Sequence, residues 1–421
     1  MKKFNVPVVY RSSLITAIKN RRSLDDKLKK DFSPSLLDFG PVQIYLARHF
    51  GFCYGVENAI EISFRTIEEN PDKKIYLLSE MIHNPLVNDD LKSRGVRFLM
   101  DTKGNALIPF KELSPGDIVI VPAFGTTLEI EKKLLEAGVD IEQYNTTCPF
   151  VEKVWNRAEV ISKNNYTVIV HGKPKHEETR ATFSHSAQHS PTVVVKDMQE
   201  AVELSSYILG TTDPEKFYAR FAGQFSDGFK VEKDLQRIGV VNQTTMLAGD
   251  TQAIADYLKR VMTKKYNLPE SDIAERFADT RDTLCYATND NQGAVYALLE
   301  TPADLAIVLG GYNSSNTSHL VELCEVKLPT YFIKSENEII SSKEIRHFKI
   351  HQNEETNTLC YLPEKKPVKI LVTSGASCPD SLVEDVIKKV IGFFDCDKTI
   401  EDLTKEFTDL SNKKRNPVIQ K

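Results

Sequence analysis

The chain has no run of about eighteen apolar residues, so no transmembrane helix is predicted. It also lacks a strong charge of either sign: 54 Lys and Arg against 59 Asp and Glu leave a net charge of -5. That balance argues against a general nucleic-acid binder, though not against one local basic pocket. Its seven cysteines are an odd number, widely scattered, with no C-x-x-C pair. Reduced thiols are therefore expected rather than a disulfide framework, and any metal site must be assembled from distant parts of the chain. There is no G-x-x-x-x-G-K-[ST] and no convincing G-x-G-x-x-G, which excludes a P-loop and a dinucleotide fingerprint. Electrons for a redox reaction must then arrive from outside. The first residues are basic but have no apolar core of a secretory signal, so a cytoplasmic location is expected.

What is present is enough chain for two or three domains, since single cores stop growing near roughly 250–300 residues. Short β-branched runs alternate with helical patterns: VQIYLAR, KKIYLLSE, DIVIVPAF, YTVIVHG, PTVVVKD, RIGVVNQTT, LAIVLGG, TYFIKS and VKILVTSG read as buried strands, most followed by a helix. Strands alternating with helices of about 10–15 residues predict parallel βαβ units, an α/β fold. Ahead of them, residues 1–41 read as an N-terminal extension with one helix around SSLITAIKNRR. The segments 42–147, 148–281 and 282–395 read as three α/β domains, and 396–421 as a charged, solvated C-terminal tail.

Three strand ends each place a cysteine just before a helix: Cys53, Cys148 and Cys285, one per expected domain, the last ahead of a helix starting near Asn291. Cys324 and Cys360 read instead as small buried apolar residues. Domains arranged about a pseudo-threefold axis would bring the three strand-end thiolates together. Three thiolates can hold zinc with water in the fourth position. They can equally hold a 4Fe–4S cluster with one iron left open.

Around these positions the turns are small and polar. IHNPLV carries His83, and HGKPKHEET carries His171, His176, Glu177 and Glu178. NQTTM carries Thr244 and Thr245, GYNSSNTSHL carries Ser314, Ser315 and Asn316, and TSGASCPD carries Ser374 and Ser377. Such groups at helix N-termini favour anions, and together they suit a compact phosphate or diphosphate. Taken alone, SSN and SGAS read as well as N-caps, HEE as first-turn charge, and His83 as a surface or core-satisfied histidine.

Eight motifs in order, GFCYGVENAI, HNPLV, TTCPFVEKV, HGKPKHEET, NQTTM, DTLCYAT, GYNSSNTSHL and TSGASCPD, resemble the 4-hydroxy-3-methylbut-2-enyl diphosphate reductases. These are iron–sulfur enzymes of the last, methylerythritol phosphate step to isoprenoids. The wording PAFGTT and NQTTML and the N-terminal extension are closest to the longer plant and cyanobacterial type. The resemblance covers about residues 42–395 and implies three small parallel-sheet α/β domains, in pseudo-threefold fashion, around one central 4Fe–4S cluster. It implies Cys53, Cys148 and Cys285 as the ligands, with the substrate alkoxide on the open iron. It further implies Glu178 as proton source and Thr244, with Thr245 beside it, as positioning groups. His83, His176, Ser314, Asn316 and Ser377, with Ser315 nearby, would hold the diphosphate. Ferredoxin or flavodoxin is the implied electron donor, with no nucleic-acid or membrane partner. One departure stands out: where many members have histidine, the PAFG motif has Phe124, and Thr126 or Thr127 is the candidate replacement donor.

The implied reaction is a two-electron reductive dehydroxylation of an allylic diphosphate to isopentenyl and dimethylallyl diphosphate. Hydroxide is a poor leaving group, so it needs a proton and a Lewis acid. Two other readings use the same residues: a zinc hydrolase with Glu178 as base, and a non-catalytic iron–sulfur sensor or scaffold.

Overall fold

The computed structural model describes residues 4–278 and 283–415. By its contacts the chain forms two compact units, one of Met1–Glu57, His83–Leu86 and Asn289–Lys421, the other of Asn58–Ile82 and Val87–Thr288. Among the described residues there are four small sheets, three of them wholly or mostly parallel, so the α/β class stands.

The first unit holds a five-stranded sheet in the order Ser35–Asp38, Val42–Leu46, Val368–Ser374, Leu305–Leu309, Thr330–Ile333. Only the Ser35–Asp38 edge strand is antiparallel. This sheet draws strands from both ends of the chain, so it crosses the expected 42–147 and 282–395 segments. The expected edge between 281 and 282 lies outside the described residues. Leu305–Leu309 is buried along its whole length, as a central parallel strand covered on both faces must be. An antiparallel meander, Ile339–Ser341, Glu344–Lys349 and Glu354–Leu359, completes the unit.

The second unit has two parallel sheets. One runs Arg97–Phe98, Ile75–Leu77, Ile118–Ile120, and the other Thr192–Val195, Thr167–His171, Ile238–Asn242, Phe277–Ala278. Val168, Ile169 and Val170 are wholly buried, each such side chain contributing about 1.5–3 kcal/mol relative to exposure.

Strand order fixes where a ligand can enter. In each parallel sheet one strand sends its successor to one side and a later strand lies on the other, and the crevice between them at the carboxyl ends is the switch point. In the second unit one switch point lies where His171 pairs with Asn242, and another between Leu77 and Ile120. In the first unit it lies where Leu309 pairs with Ser374. The turns leaving these six strands carry HGKPKHEET, NQTTM, IHNPLV, PAFGTT, GYNSSNTSHL and TSGASCPD.

Three local expectations are corrected. The helix after Cys285 begins at Tyr286, not near Asn291. Cys360 is exposed and sits at φ +55°, so it is no buried apolar residue. Most of the supposed solvated tail is the helix Ile400–Arg415. Its Leu403 and Ser411 are buried and Phe407 packs on the core, one face at i, i+4 spacing. Residues 416–421 lie outside those described. The helix Ser13–Asp25 forms where the sequence places one, capped by the Ser12 hydroxyl.

Candidate active site

In the second unit Glu178 is the second residue of the helix Glu177–Ala187 and is 1% exposed. Thr244, in the turn after Ile238–Asn242, holds both of its carboxyl oxygens. The Thr244 backbone N–H donates to Oε1, and the Thr244 hydroxyl donates to Oε2 at 3.0 Å. The turn is stiffened by Gln243, whose Oε1 accepts from the Thr179 hydroxyl at 2.9 Å and the Lys173 N–H at 3.1 Å. Its amide nitrogen donates to the Thr245 hydroxyl at 2.6 Å. Sequence reasoning left Gln243 without a role, though it lies inside NQTTM; only the tertiary fold shows what it joins.

His176 caps the same helix, its Nδ1 accepting from the Glu178 N–H at 3.2 Å. With Nδ1 an acceptor, Nε2 is left to carry the proton of the neutral ring. The Phe124 ring packs edge-on against His176, with centroids 5.7 Å apart. Phe124 therefore supplies a wall that orients an imidazole, where a histidine would supply a donor. The Thr126 carbonyl lies 3.2 Å from His185 Nε2, and the Thr127 side chain makes no cap bond for the helix Leu128–Glu136. Behind this loop Trp155 stacks on His185 at 3.8 Å. Gly125, at φ +73°, has no room for a side chain, since its Cβ would stand 2.5 Å from the Trp155 ring. The single tryptophan was the sequence signal for this backing layer, and it was missed.

Cys148 is the N-cap of the helix Pro149–Lys163, and its N–H donates to the Ala123 carbonyl at 3.0 Å. Burial pushes its thiol up to about 12, against the opposing pull of the Phe150 and Val151 N–H groups, with Cys285 and Glu178 adding negative charge nearby. Cys285 is buried one residue ahead of the helix Tyr286–Leu298, its N–H 3.5 Å from the Thr244 carbonyl. The second unit thus brings Cys148, Cys285, Glu178 and Thr244 into one neighbourhood.

In the first unit Cys53 precedes the helix Tyr54–Glu69, and its N–H donates to the Ala376 carbonyl at 3.2 Å. Ser314 caps the helix Ser315–Glu325, its hydroxyl accepting from the Thr317 N–H at 3.3 Å and the Thr317 hydroxyl at 2.9 Å. Asn316 Oδ1 accepts from the Ala376 N–H at 2.9 Å. Its Nδ2, and the Ser315 hydroxyl, are buried without a partner. Orphaned buried donors are costly unless a ligand completes them. The Ser377 hydroxyl donates to the His83 carbonyl at 3.2 Å, and His83 is 5% exposed. His83, Ser314, Ser315, Asn316 and Ser377 therefore share the switch point of the large sheet.

Among the described residues no three His, Cys, Asp or Glu side chains are gathered closely enough to hold a single metal ion. Thiols are the donor type that a soft metal or an iron–sulfur cluster takes. The seven cysteines form no disulfide, and each of the three strand-end cysteines is followed at once by a helix whose N–H groups favour a thiolate. Burial of Cys148 makes its anionic form costly unless a bound cation compensates.

The fold and these turns define an α/β protein with acid, thiol and small polar groups at the carboxyl ends of its strands. Residues 44–391 match the family model described as "LytB protein", and the chain belongs to that family. A protein of Picosynechococcus called 4-hydroxy-3-methylbut-2-enyl diphosphate reductase is 42% identical over 83% of this chain and 84% of its own. Another of that name from Prochlorococcus marinus subsp. pastoris is 41% identical over 91% of this chain and 90% of its own. The solved E-1-hydroxy-2-methyl-but-2-enyl-4-diphosphate reductase from Plasmodium falciparum matches 88% of this chain and 98% of its own at a TM-score of 0.59. At 21% identity it speaks to the fold alone.

Proposed function

We propose that this chain is an iron–sulfur oxidoreductase that reduces 4-hydroxy-3-methylbut-2-enyl diphosphate to isopentenyl and dimethylallyl diphosphate. The observation that carries this reading is the Glu178–Thr244 pair, placed beside two helix-start thiols in a chain of the LytB family. The allylic C–O bond breaks and a C–H bond forms. Two electrons and two protons enter, and one water leaves. Cys53, Cys148 and Cys285 would hold a 4Fe–4S cluster, which would supply Lewis acidity and a path for the electrons.

The remaining work falls to the chain's own side chains. Ser315 Oγ and Asn316 Nδ2, joined by His83, His176, Ser314 and Ser377, bind the diphosphate and so fix where the allylic end lies. Glu178 gives the proton that turns hydroxide into water. Thr244 holds that carboxyl in one orientation, and Thr245 braces the same turn through Gln243. Glu177, its neighbour on the helix, points to a different face. An external donor of the ferredoxin or flavodoxin kind provides the electrons. Among the described residues no helix is long and apolar enough to cross a membrane, and the seven unbridged thiols suit a reducing cytoplasm.

The test is iron, acid-labile sulfide and zinc content of anaerobically purified protein, followed by turnover of the allylic diphosphate with a strong one-electron donor. About four irons and four sulfides per chain, as a full cluster requires, together with both products, support the reading. Stoichiometric zinc without sulfide, persisting after anaerobic reconstitution, overturns it.

A further inference from the structure

The segment ahead of the first parallel strand reaches the loop around Cys53 at several points, all within the first unit. Phe4 meets Tyr54 edge-on at 4.9 Å between centroids, Tyr10 meets Phe52 at 6.0 Å, and Phe32 meets His49 at 5.4 Å. Lys19, on the helix Ser13–Asp25, does more than pack. Its Nζ lies 2.8 and 3.0 Å from the two carboxylate oxygens of Asp380, and 4.6 Å from the centroid of the Phe50 ring.

Asp380 opens the helix Asp380–Ile391, directly after the turn that carries Ser377 and the wholly buried Cys378. Its carboxylate fills the space over Gly51. At φ +78° Gly51 is in the left-handed region, and a Cβ there would stand 2.5 Å from Asp380 Oδ1 and 3.2 Å from Lys19 Nζ. The backbone closes the same contact, through the Cys53 N–H to the Ala376 carbonyl. One cation thus touches an aromatic residue on the Cys53 side and a carboxylate on the Ser377 side. A loop that turns through glycine has little stiffness of its own, so its position depends on such clamps.

We propose that Lys19 is a positioning residue: through Asp380 and Phe50 it clamps the Cys53 loop to the Gly375–Cys378 turn, so the N-terminal extension sets the geometry of a thiolate anchor. The link to the anchor rests on the reading of Cys53 as a cluster ligand. The clamp itself belongs to the polypeptide and exists without the cluster. The pair is part-buried, with side chains 35% and 20% exposed, so it is screened less than a surface ion pair.

The experiment compares amide hydrogen exchange in wild-type, Lys19→Met and Lys19→Arg proteins, each cluster-free and again after anaerobic reconstitution. Methionine keeps an apolar stem over Phe50 and deletes the charge. Arginine can grip the same carboxylate with two N–H donors and stack on the ring. In the cluster-free Met variant, exchange in 50–57 and 375–380 should quicken about tenfold, the change expected for local opening eased by one part-buried pair. Exchange in Leu305–Leu309 and Val368–Ser374 should stay the same, and the Arg variant should restore the loop. After reconstitution the Met variant should release iron to a chelator faster than wild type, again with rescue by Arg. Unchanged loop exchange in the Met variant overturns the proposal. So does a rise spread evenly over the whole unit, because that marks a general stabilising contact. Failure of the wild-type protein to take up iron and sulfide would sink the proposed function while the cluster-free comparison still decides on the clamp.

Discussion

Thr244 grips the Glu178 carboxyl at both oxygens, one through its backbone N–H and one through its hydroxyl at 3.0 Å. Glu178 sits in the first turn of the helix that follows Thr167–His171, and Thr244 in the turn after Ile238–Asn242, on either side of the switch point where His171 pairs with Asn242. The backbone donor survives any side-chain change, so the two halves of the grip can be separated by mutation.

Glu178→Gln keeps the shape and loses the transferable proton. Turnover should fall by roughly 10²–10⁴-fold, the usual worth of a general acid, while iron content and diphosphate affinity stay near wild type. Near-normal steady-state kcat would remove Glu178 from the mechanism. Thr244→Val deletes only the hydroxyl half, a hydrogen bond to an ionisable group worth about 1.5–3 kcal/mol. Its kcat should drop by about tenfold or more, with Thr244→Ser recovering most of the loss.

Replacing Cys53, Cys148 or Cys285 singly by Ser should greatly reduce iron and sulfide per chain after reconstitution. Cys324→Ser should not, although Cys324 is wholly buried on the helix Ser315–Glu325. A hydroxyl at that apolar site instead costs stability, about 1–3 kcal/mol. Iron and sulfide analysis beside a thermal melt separates the two effects. Equal cluster loss from Cys324→Ser would break the ligand assignment.

The proposed anion pocket makes an unusual demand on one side chain. The Ser315 hydroxyl is buried with no partner, so without ligand it weakens the fold. Ser315→Ala should therefore leave the melting temperature equal or slightly higher while weakening binding of inorganic pyrophosphate by roughly tenfold, as loss of one hydrogen bond to a charged ligand requires. Calorimetry with pyrophosphate, on protein that need not turn over, reads this directly. Unaltered affinity would take Ser315 out of the pocket.

Much of this was legible in the sequence because parallel strands announce themselves. YTVIVHG, RIGVVNQTT and LAIVLGG are continuous apolar runs ending in small polar turns, and each is a central strand with its polar turn at a switch point. The meander was not legible. EIRHFK and EETNTL are too rich in Glu, Lys and Asn to read as strands, and only the alternate burial of Ile345 and His347 reveals them. The C-terminal helix was hidden by its charge, although Leu403, Phe407 and Ser411 carry a helical spacing. Its partner is the helix Ser13–Asp25 at the other end of the chain, where Arg21 bonds the Leu410 carbonyl at 2.7 Å and Lys414 pairs with Asp25. At the candidate site, motif order proposes the residues, but contacts such as Phe124 on His176 depend on turns from two different sheets meeting in space.

The last expectation concerns acid. His49 lies in the bend that follows the strand Val42–Leu46, and its pKa is lowered from the usual 6.5 to about 4. Burial is the main cause, and the positive charges of Arg48 and Lys29 push the same way against the pull of Asp26. In the unfolded chain the ring titrates near 6.5, so between about pH 4 and 6.5 the unfolded state binds the extra proton. Stability from His49 is thus complete above pH 6.5 and is lost as the pH falls through that window. His49→Gln cannot take up the proton. Its melting temperature should decline less steeply than that of wild type between pH 6.5 and 4, with the two curves parallel above pH 7. Melts at matched ionic strength across this range check it, and parallel curves throughout would show that the ring is protonated equally in both states.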